Sequence, residues 1–334
     1  MPIHAYAAAA AGTPLEPFEY EPEPLGAHDI EVAVSHCGIC HSDLHLIDND
    51  WGNSTYPLVP GHEVVGEVIA AGSGVGDHKV GDRVGVGWQC GSCGHCEHCV
   101  AGDEPFCADN RATCVGHFGG FADRVRASGR FAFTIPTRLS SERAAPLLCA
   151  GATVYTPLRH YGVRPDHRVG VIGIGGLGHL AVQFARAWGC DVTAFSSSSD
   201  KEAEARDLGA HHFVASRDPD ALTAAAGRLD FILSTVNVSL DWPAYLNALR
   251  PKGHLCIVGA VPAALEIPVF PLMVGQRSVC GSVIAGRPMM REMLAFAARH
   301  QIGAHTEAMA MDEVNAALDR LRAGQARYRV VLTR

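Results

Sequence analysis

An apolar run, Arg168–Gly173 (RVGVIG), opens directly into Gly173-Ile-Gly175-Gly176-Leu177-Gly178. This junction constrains the fold more than any other part of the 334-residue chain. Leu180, Ala181, Phe184, Ala185 and Trp188 then recur at helical spacing from Leu177, and Gly189 marks a stop. In such a turn Gly173 permits the tight bend, Gly175 lets backbone approach a pyrophosphate, and Gly178 allows close helix–strand packing. The N–H groups at the helix start, around Gly176, Leu177 and Gly178, offer donors and a positive dipole end to an anion. A purely structural glycine turn is the plainer alternative.

The sequence continues in the same grammar, with a strand at Asp191–Phe195 and a helix carrying Lys201–Leu208. Strands at Phe231–Ser234 and Leu255–Val258 follow, the last closed by Gly259. Strands alternating with helices predict an α/β, doubly wound parallel sheet of the Rossmann type over residues 153–279. An NAD site usually places Asp or Glu about 20 residues past the glycines, at the end of the second strand. This chain has Ser196-Ser197-Ser198-Ser199-Asp200-Lys201 there. Small hydroxyls at Ser196 and Ser197 leave room for a ribose 2′-phosphate, and Lys201 supplies a point charge. NADP(H) is therefore expected, against the alternative of a solvated linker.

Residues 1–152 read differently, with short β-like runs at Asp29–Ser35, Val64–Ala70 and Arg83–Val86 bounded by Gly, Asp or Pro. They predict a compact β-rich domain with long loops. Residues 280–334 are expected to return to it through helices near Met289–His300 and Asp312–Ala323 and a strand at Tyr328–Leu332. A formal charge of −8, with no basic block, argues against nucleic acid or an acidic membrane surface as partner. No stretch of about 20 apolar residues exists to cross a bilayer. The N-terminal MPIHAYAAAAAG lacks the features of a signal peptide, so the expected location is the cytoplasm, where thiols stay reduced.

That setting gives meaning to Cys93, Cys96, Cys99 and Cys107, which lie on a polar, glycine-rich segment with no apolar face. A C-x2-C-x2-C-x7-C run can wrap four thiolates around one structural zinc at about 2.3 Å each. An iron–sulfur cluster also takes soft sulfur ligands, but the ferredoxin run has a shorter last gap followed by proline. Here Ala108 follows. A metal-free thiol loop or disulfides complete the alternatives. The other cysteines outside the segments below read as small core or surface residues.

Three further segments matter together: Gly38-Ile-Cys40-His41-Ser42-Asp43-Leu-His45, Gly61-His62-Glu63-x-x-Gly66, and Leu147-Leu148-Cys149-Ala150-Gly151. Singly, Cys149 reads as core, His62 as a loop histidine, Asp43 as a helix-start acid and His45 as a surface residue. In this order, beside the glycine turn and the cysteine loop, they resemble the medium-chain zinc alcohol dehydrogenases. WGNSTYPLVPGHEVVGEV, PLLCAGATVYTPLRH and VGVIGIGGLGHLAVQFA look like the cinnamyl-alcohol-dehydrogenase branch, with its broad-range aldehyde reductases. The resemblance covers essentially the whole chain.

It implies a GroES-like catalytic domain and two zinc ions per chain. Cys40, His62 and Cys149 would be the catalytic ligands, with Glu63 behind the metal and Asp43 orienting His62. Ser42 matches the relay hydroxyl beside the metal, His45 the outer base of that relay, and His41 a position next to the cofactor phosphates. Substrates would be small aldehydes and primary alcohols, and the loop between Cys107 and Phe121 is shorter than in aldehyde-reductase relatives. Trp51, Trp88 and Ile284 are candidate pocket walls, though a tryptophan also serves as plain core. The resemblance further implies a homodimer paired near Ser278–Ile284. Two rival readings are a reductase of C=N or activated C=C bonds, and a non-catalytic protein that keeps the fold. Intact ligands and an intact relay disfavour both.

Overall fold

A computed structural model describes residues 1–334, which form two compact units. One comprises Met1–Ala152 with Ile284–Arg334, the other Thr153–Val283. No helix is long and apolar enough to cross a membrane.

The first unit is built on a seven-stranded sheet. Its organising strand is Asp29–Gly38, longer than the predicted Asp29–Ser35 and bent by register shifts. It pairs antiparallel with Val64–Ala71, with Arg124–Ser128 and with the chain's last strand, Arg329–Thr333. Alternate residues Ile30, Val32 and Val34 face a core shared with Val64, Val68, Val84, Val86, Phe121 and Val125. Apolar residues at every second position bury one face of such a strand. The returning residues thus enter the sheet centre: Val331 and Leu332 pair with Gly38 and Cys37. The return also ties down the cysteine-rich lobe. Buried Glu104 accepts the Arg287 N–H at 2.9 Å and its Nε–H at 2.5 Å, where the helix Arg287–His300 begins.

The second unit carries a six-stranded, all-parallel sheet. Its spatial order is His212–Ala215, Asp191–Ser196, Arg168–Ile172, Leu229–Ser234, Leu249–Ile257 and Ser278–Gly281. Numbered along the chain this is 3-2-1-4-5-6, the doubly wound order that reverses beside its first strand. The helix Gly178–Trp188 buries Leu180, Ala181, Phe184 and Ala185, and ends at Gly189 with φ +99°. Two elements depart from the sequence-based expectation. Lys201 does not lie inside a helix: Ser199–Lys201 is a 3-10 turn and the helix is Glu202–Asp207. Likewise Met311–Glu313 is a 3-10 turn ahead of the helix Val314–Arg322. At the second, Glu313 accepts the Ala310 N–H at 2.9 Å, a local bond that competes with the α pattern.

The glycine turn has the predicted geometry. Gly173 adopts φ +86°, and a Cβ on Gly178 would stand 1.7 Å from the Gly173 carbonyl oxygen. A Cβ on Gly175 would meet nothing within 4 Å. Gly178→Ala should therefore destabilise the protein by about 1–3 kcal/mol through overpacking. Gly175→Ala should leave stability nearly unchanged. Urea denaturation of the two variants checks this; equal losses would contradict the packing argument.

Candidate metal centre and nucleotide-binding turn

The helix His41–Asp48 begins at Cys40, its N-cap residue, which has extended backbone. Asp43, in the first turn, folds its carboxylate back so that Oδ2 accepts the Cys40 N–H at 2.8 Å. Oδ1 accepts the Gly61 N–H at 2.9 Å and the Nδ1–H of His62 at 3.0 Å. One fully buried carboxylate thus joins the helix start to the His62 loop. Binding Nδ1 to a carboxylate fixes the ring and leaves Nε2 to meet a ligand. That Nε2 is buried and has no hydrogen-bond partner.

Cys149 completes the group from the end of the Ala145–Leu148 turn. One ligand atom each from Cys40, His62, Glu63 and Cys149 lie within 4.8 Å of one another, all four residues buried. An unpartnered imidazole nitrogen beside two thiols suits a cation that accepts nitrogen and soft sulfur, and zinc in a Cys2His site is such a case. The thiols differ in their protons. A hydrogen bond from Cys149 holds the Cys40 thiol well below its ordinary value, while the same bond and burial push Cys149 well up. Burial disfavours a charged His62, but the charges of Asp43 and Cys149 outweigh it and raise the imidazole well above its usual value. Divalent cations displace such protons when they bind.

Glu63 sits at this centre in a clamp. Both its oxygens accept from Arg329 Nη2, at 2.6 and 2.7 Å, and the same nitrogen donates to the Ile39 carbonyl at 2.7 Å. Burial pushes the Glu63 carboxyl up to about 8 against the pull of Arg329, whose own value is raised by Glu63 despite burial. Ser42 Oγ stands 3.7 Å from Cys40 Sγ. His45, one turn along the same helix face, donates Nδ1–H to Asp50 at 2.7 Å. His41 is exposed at the helix start, its ring 6.5 Å from that of His45.

Aromatic rings line up from here. Trp88 meets His62 edge-on at 4.9 Å, Trp51 lies 6.1 Å from Trp88, and His45 lies 5.2 Å from Trp51. Trp51 is 40% exposed, so it is no core residue. Ile284 is half-buried at the head of the returning segment.

In the cysteine lobe, Cys93 Sγ lies 3.8 Å from Cys99 Sγ and 3.6 Å from Cys107 Sγ. All four sulfurs fall within 4.8 Å of one another. Sulfurs at the corners of a tetrahedron about 2.3 Å from its centre stand about 3.8 Å apart. A disulfide needs about 2.0 Å, which these separations exclude. Backbone N–H groups of His95 and Cys96 hold the Cys93 thiol down to about 6, which favours the ligating thiolate.

The glycine turn belongs to the second unit. Lys201 reaches back to it, donating from Nζ to the Ile174 carbonyl at 2.8 Å. Ser196 is buried, with Oγ accepting the Ser198 N–H at 3.2 Å, and Ser197 is exposed. No carboxylate occupies Ser196 or Ser197 at the end of this strand.

Three neighbours escaped the sequence reading. Arg329 was detectable as an arginine on an otherwise apolar last strand (RVVLT). Asp50, five residues after His45, offered a spacing clue only. Cys114, whose sulfur is 3.8 Å from His62 Nδ1, gave no signal because it arrives from a distant loop.

Fold and site together define a zinc-type, two-unit dehydrogenase. Residues 26–137 match the alcohol dehydrogenase GroES-like domain and residues 176–299 the zinc-binding dehydrogenase family. An aldehyde reductase, AdhA, of Synechocystis sp. is 50% identical over 331 residues, covering 99% of this chain and 98% of its own. A cinnamyl alcohol dehydrogenase structure from Sorghum bicolor superposes with a TM-score of 0.96 at 41% identity, over 100% of this chain and 98% of that one. One from Helicobacter pylori, complexed with NADP(H), gives 0.92 at 32% identity over the same shares. The chain belongs to the medium-chain zinc alcohol dehydrogenases, in their cinnamyl-alcohol-dehydrogenase-like branch, and is an oxidoreductase of the alcohol dehydrogenase and aldehyde reductase kind.

Asp43→Ala would strand three buried donors. It should destabilise the protein by about 3–5 kcal/mol, as expected for breaking a buried charged network. Metal affinity should fall about 10–100-fold. Denaturant melts and chelator competition measure both; wild-type affinity would remove Asp43 from the site's support.

Proposed function

We propose that this chain is a zinc-dependent, NADP(H)-linked reductase of small aldehydes, aromatic or broad in range, that also oxidises the matching primary alcohols. The observation that carries the reading is the buried Cys40–His62–Cys149 group around an unpartnered His62 Nε2. These three residues would hold the catalytic zinc, and Cys93, Cys96, Cys99 and Cys107 a second, structural one. When bound, the catalytic ion supplies Lewis acidity toward a carbonyl oxygen.

The chain's own residues do the rest. Asp43 keeps His62 in one orientation, and Glu63, held by Arg329, places a carboxylate behind the metal ligands. Ser42 Oγ holds a proton beside Cys40. His45 donates Nδ1–H to Asp50, so Nε2 is the atom that takes or releases a proton, and Ser42 and His45 share a helix face as a short relay. Trp88, edge-on to His62, and Trp51 beside it give the centre an aromatic flank that favours planar substrates. Ile284 is proposed to extend it.

Gly173, Gly175, Gly176, Leu177 and Gly178 would take the cofactor's pyrophosphate. Lys201, beside the turn, would meet a ribose 2′-phosphate that Ser196 and Ser197 leave room for. The NADP(H) bound in the Helicobacter pylori structure supports this cofactor.

A homodimer is part of the proposal. The helix Val269–Gly275 exposes Val269, Phe270, Met273 and Val274, all at 65–74%, just before the edge strand Ser278–Gly281. An apolar patch beside an unpaired edge is suited to a partner. A cytoplasmic setting, where thiols stay reduced, is part of the same reading.

Cys40→Ser or Cys149→Ser should abolish aldehyde reduction while circular dichroism stays native, and elemental analysis should fall from two zinc ions per chain toward one. Turnover at wild-type rate in either variant would refute the assignment. His45→Ala should slow turnover about 100-fold. Initial rates with an aromatic aldehyde should strongly favour NADPH over NADH. Lys201→Ala should raise KM for NADPH about tenfold, equivalent to about 1.4 kcal/mol, and leave that for NADH unchanged. Equal use of both cofactors by the wild type would overturn the NADP(H) reading.

A further inference from the structure

Cys256 and Cys280 take no part in either metal group. They lie on the last two strands of the parallel sheet, Leu249–Ile257 and Ser278–Gly281, as directly registered partners. Registered residues on neighbouring strands point to the same face, and strands about 4.7–4.9 Å apart put such Cα atoms inside the 4.4–6.8 Å range of disulfides. Cys256 is fully buried and Cys280 half-buried on the edge strand. The face they share carries Tyr161, whose ring lies 5.9 Å from that of His254 and 6.2 Å from that of Phe231. The Tyr161 hydroxyl donates to the Gly281 carbonyl at 2.6 Å, beside Cys280. The pair therefore faces across the sheet rather than along the hydrogen-bonding edge, which remains available for a subunit contact.

We propose that Cys256 and Cys280 form a redox-active dithiol, converted to a cross-strand disulfide by a low-molecular-weight disulfide of the glutathione type. The roles of the two sulfurs are unequal. The Cys280 thiol lies 3.6 Å from the Leu255 carbonyl, and hydrogen bonding from Cys256 brings it down to about 7, whereas the same bond and burial push Cys256 up. A thiol whose value lies near ambient pH is the best attacker. Cys280 attacks one sulfur of the small disulfide, whose S–S bond breaks; one thiolate leaves and takes a proton from solvent. Cys256 then gives its proton to solvent, attacks the Cys280 sulfur and expels the second small thiolate, which is protonated in turn. Two protein thiols lose two electrons and two hydrogens, and the small disulfide becomes two thiols. A directly registered bridge on parallel strands is a constrained one, and constrained disulfides are the readily reduced, reversible kind.

Trypsin separates the two residues after Arg277, so the bridge is directly readable. The zinc-loaded enzyme would be treated with oxidised glutathione at neutral pH, alkylated, digested and analysed by mass spectrometry. The expected product is the Cys256 peptide joined to the Cys280 peptide, lighter by two hydrogens and split by dithiothreitol. Cys256→Ala should instead trap glutathione on Cys280, and Cys280→Ala should leave Cys256 reduced. Two outcomes would overturn the proposal: both wild-type thiols remaining alkylatable, or Cys280 keeping its glutathione while Cys256 stays free. Neither outcome depends on catalysis, so the test stands apart from the aldehyde-reductase reading.

Discussion

The Asp43 carboxylate is the constraint on which the catalytic unit turns. Placed in the first turn of a helix, it accepts the Cys40 N–H, and with its second oxygen the Gly61 N–H and the Nδ1–H of His62. A buried carboxylate without such donors would be too costly to keep. With them, it fixes the position of one thiol and the orientation of one imidazole in a single act. Cys149 then needs only to be delivered by the short turn that precedes it. The selectivity of the centre follows from what Asp43 leaves over: a nitrogen aimed inward with nothing to bind but a cation or a proton.

A second layer of buried charge lies behind the first. Arg329 binds both oxygens of Glu63 and the Ile39 carbonyl, one residue before Cys40. Gly38 is part of this arrangement, since a Cβ there would fall 2.0 Å from Glu63 Oε2. The strand that carries Cys40 toward its helix is therefore shaped to admit the carboxylate. Charge and sterics agree at the same place, which is why the pair can be buried.

Much of this was legible in the chain. The glycine turn and the C-x2-C-x2-C-x7-C loop are local patterns, where the chemistry sits within a few residues, while the Cys40-to-His45 segment was read through its resemblance to a family. The parallel sheet followed from apolar runs alternating with helical ones, and its 3-2-1-4-5-6 order is the common closure of that pattern. What escaped was long-range. Arg329 meets Glu63 across 266 residues, and Cys114 meets His62 across 52, separations at which composition and periodicity carry no pairing information. The start of the helix after Lys201 escaped for a different reason. Ser198, Ser199 and Asp200 suit a turn as well as a helix start, and the chain took the turn, which leaves Lys201 free to reach Ile174.

The last strand has a consequence in time. Arg329–Thr333 is inserted beside Asp29–Gly38, the first long strand of the unit, and supplies the guanidinium that both Glu63 oxygens accept from. During synthesis, residues 40, 62, 63 and 149 all emerge long before residue 329 does. Until then Glu63 lacks its guanidinium partner and the sheet has an open flank at Cys37 and Gly38. The four side chains exist early, but the ion pair on Glu63 forms late. A chain cut before residue 329 would leave the Glu63 carboxyl, already pushed up by burial, without the guanidinium it accepts from.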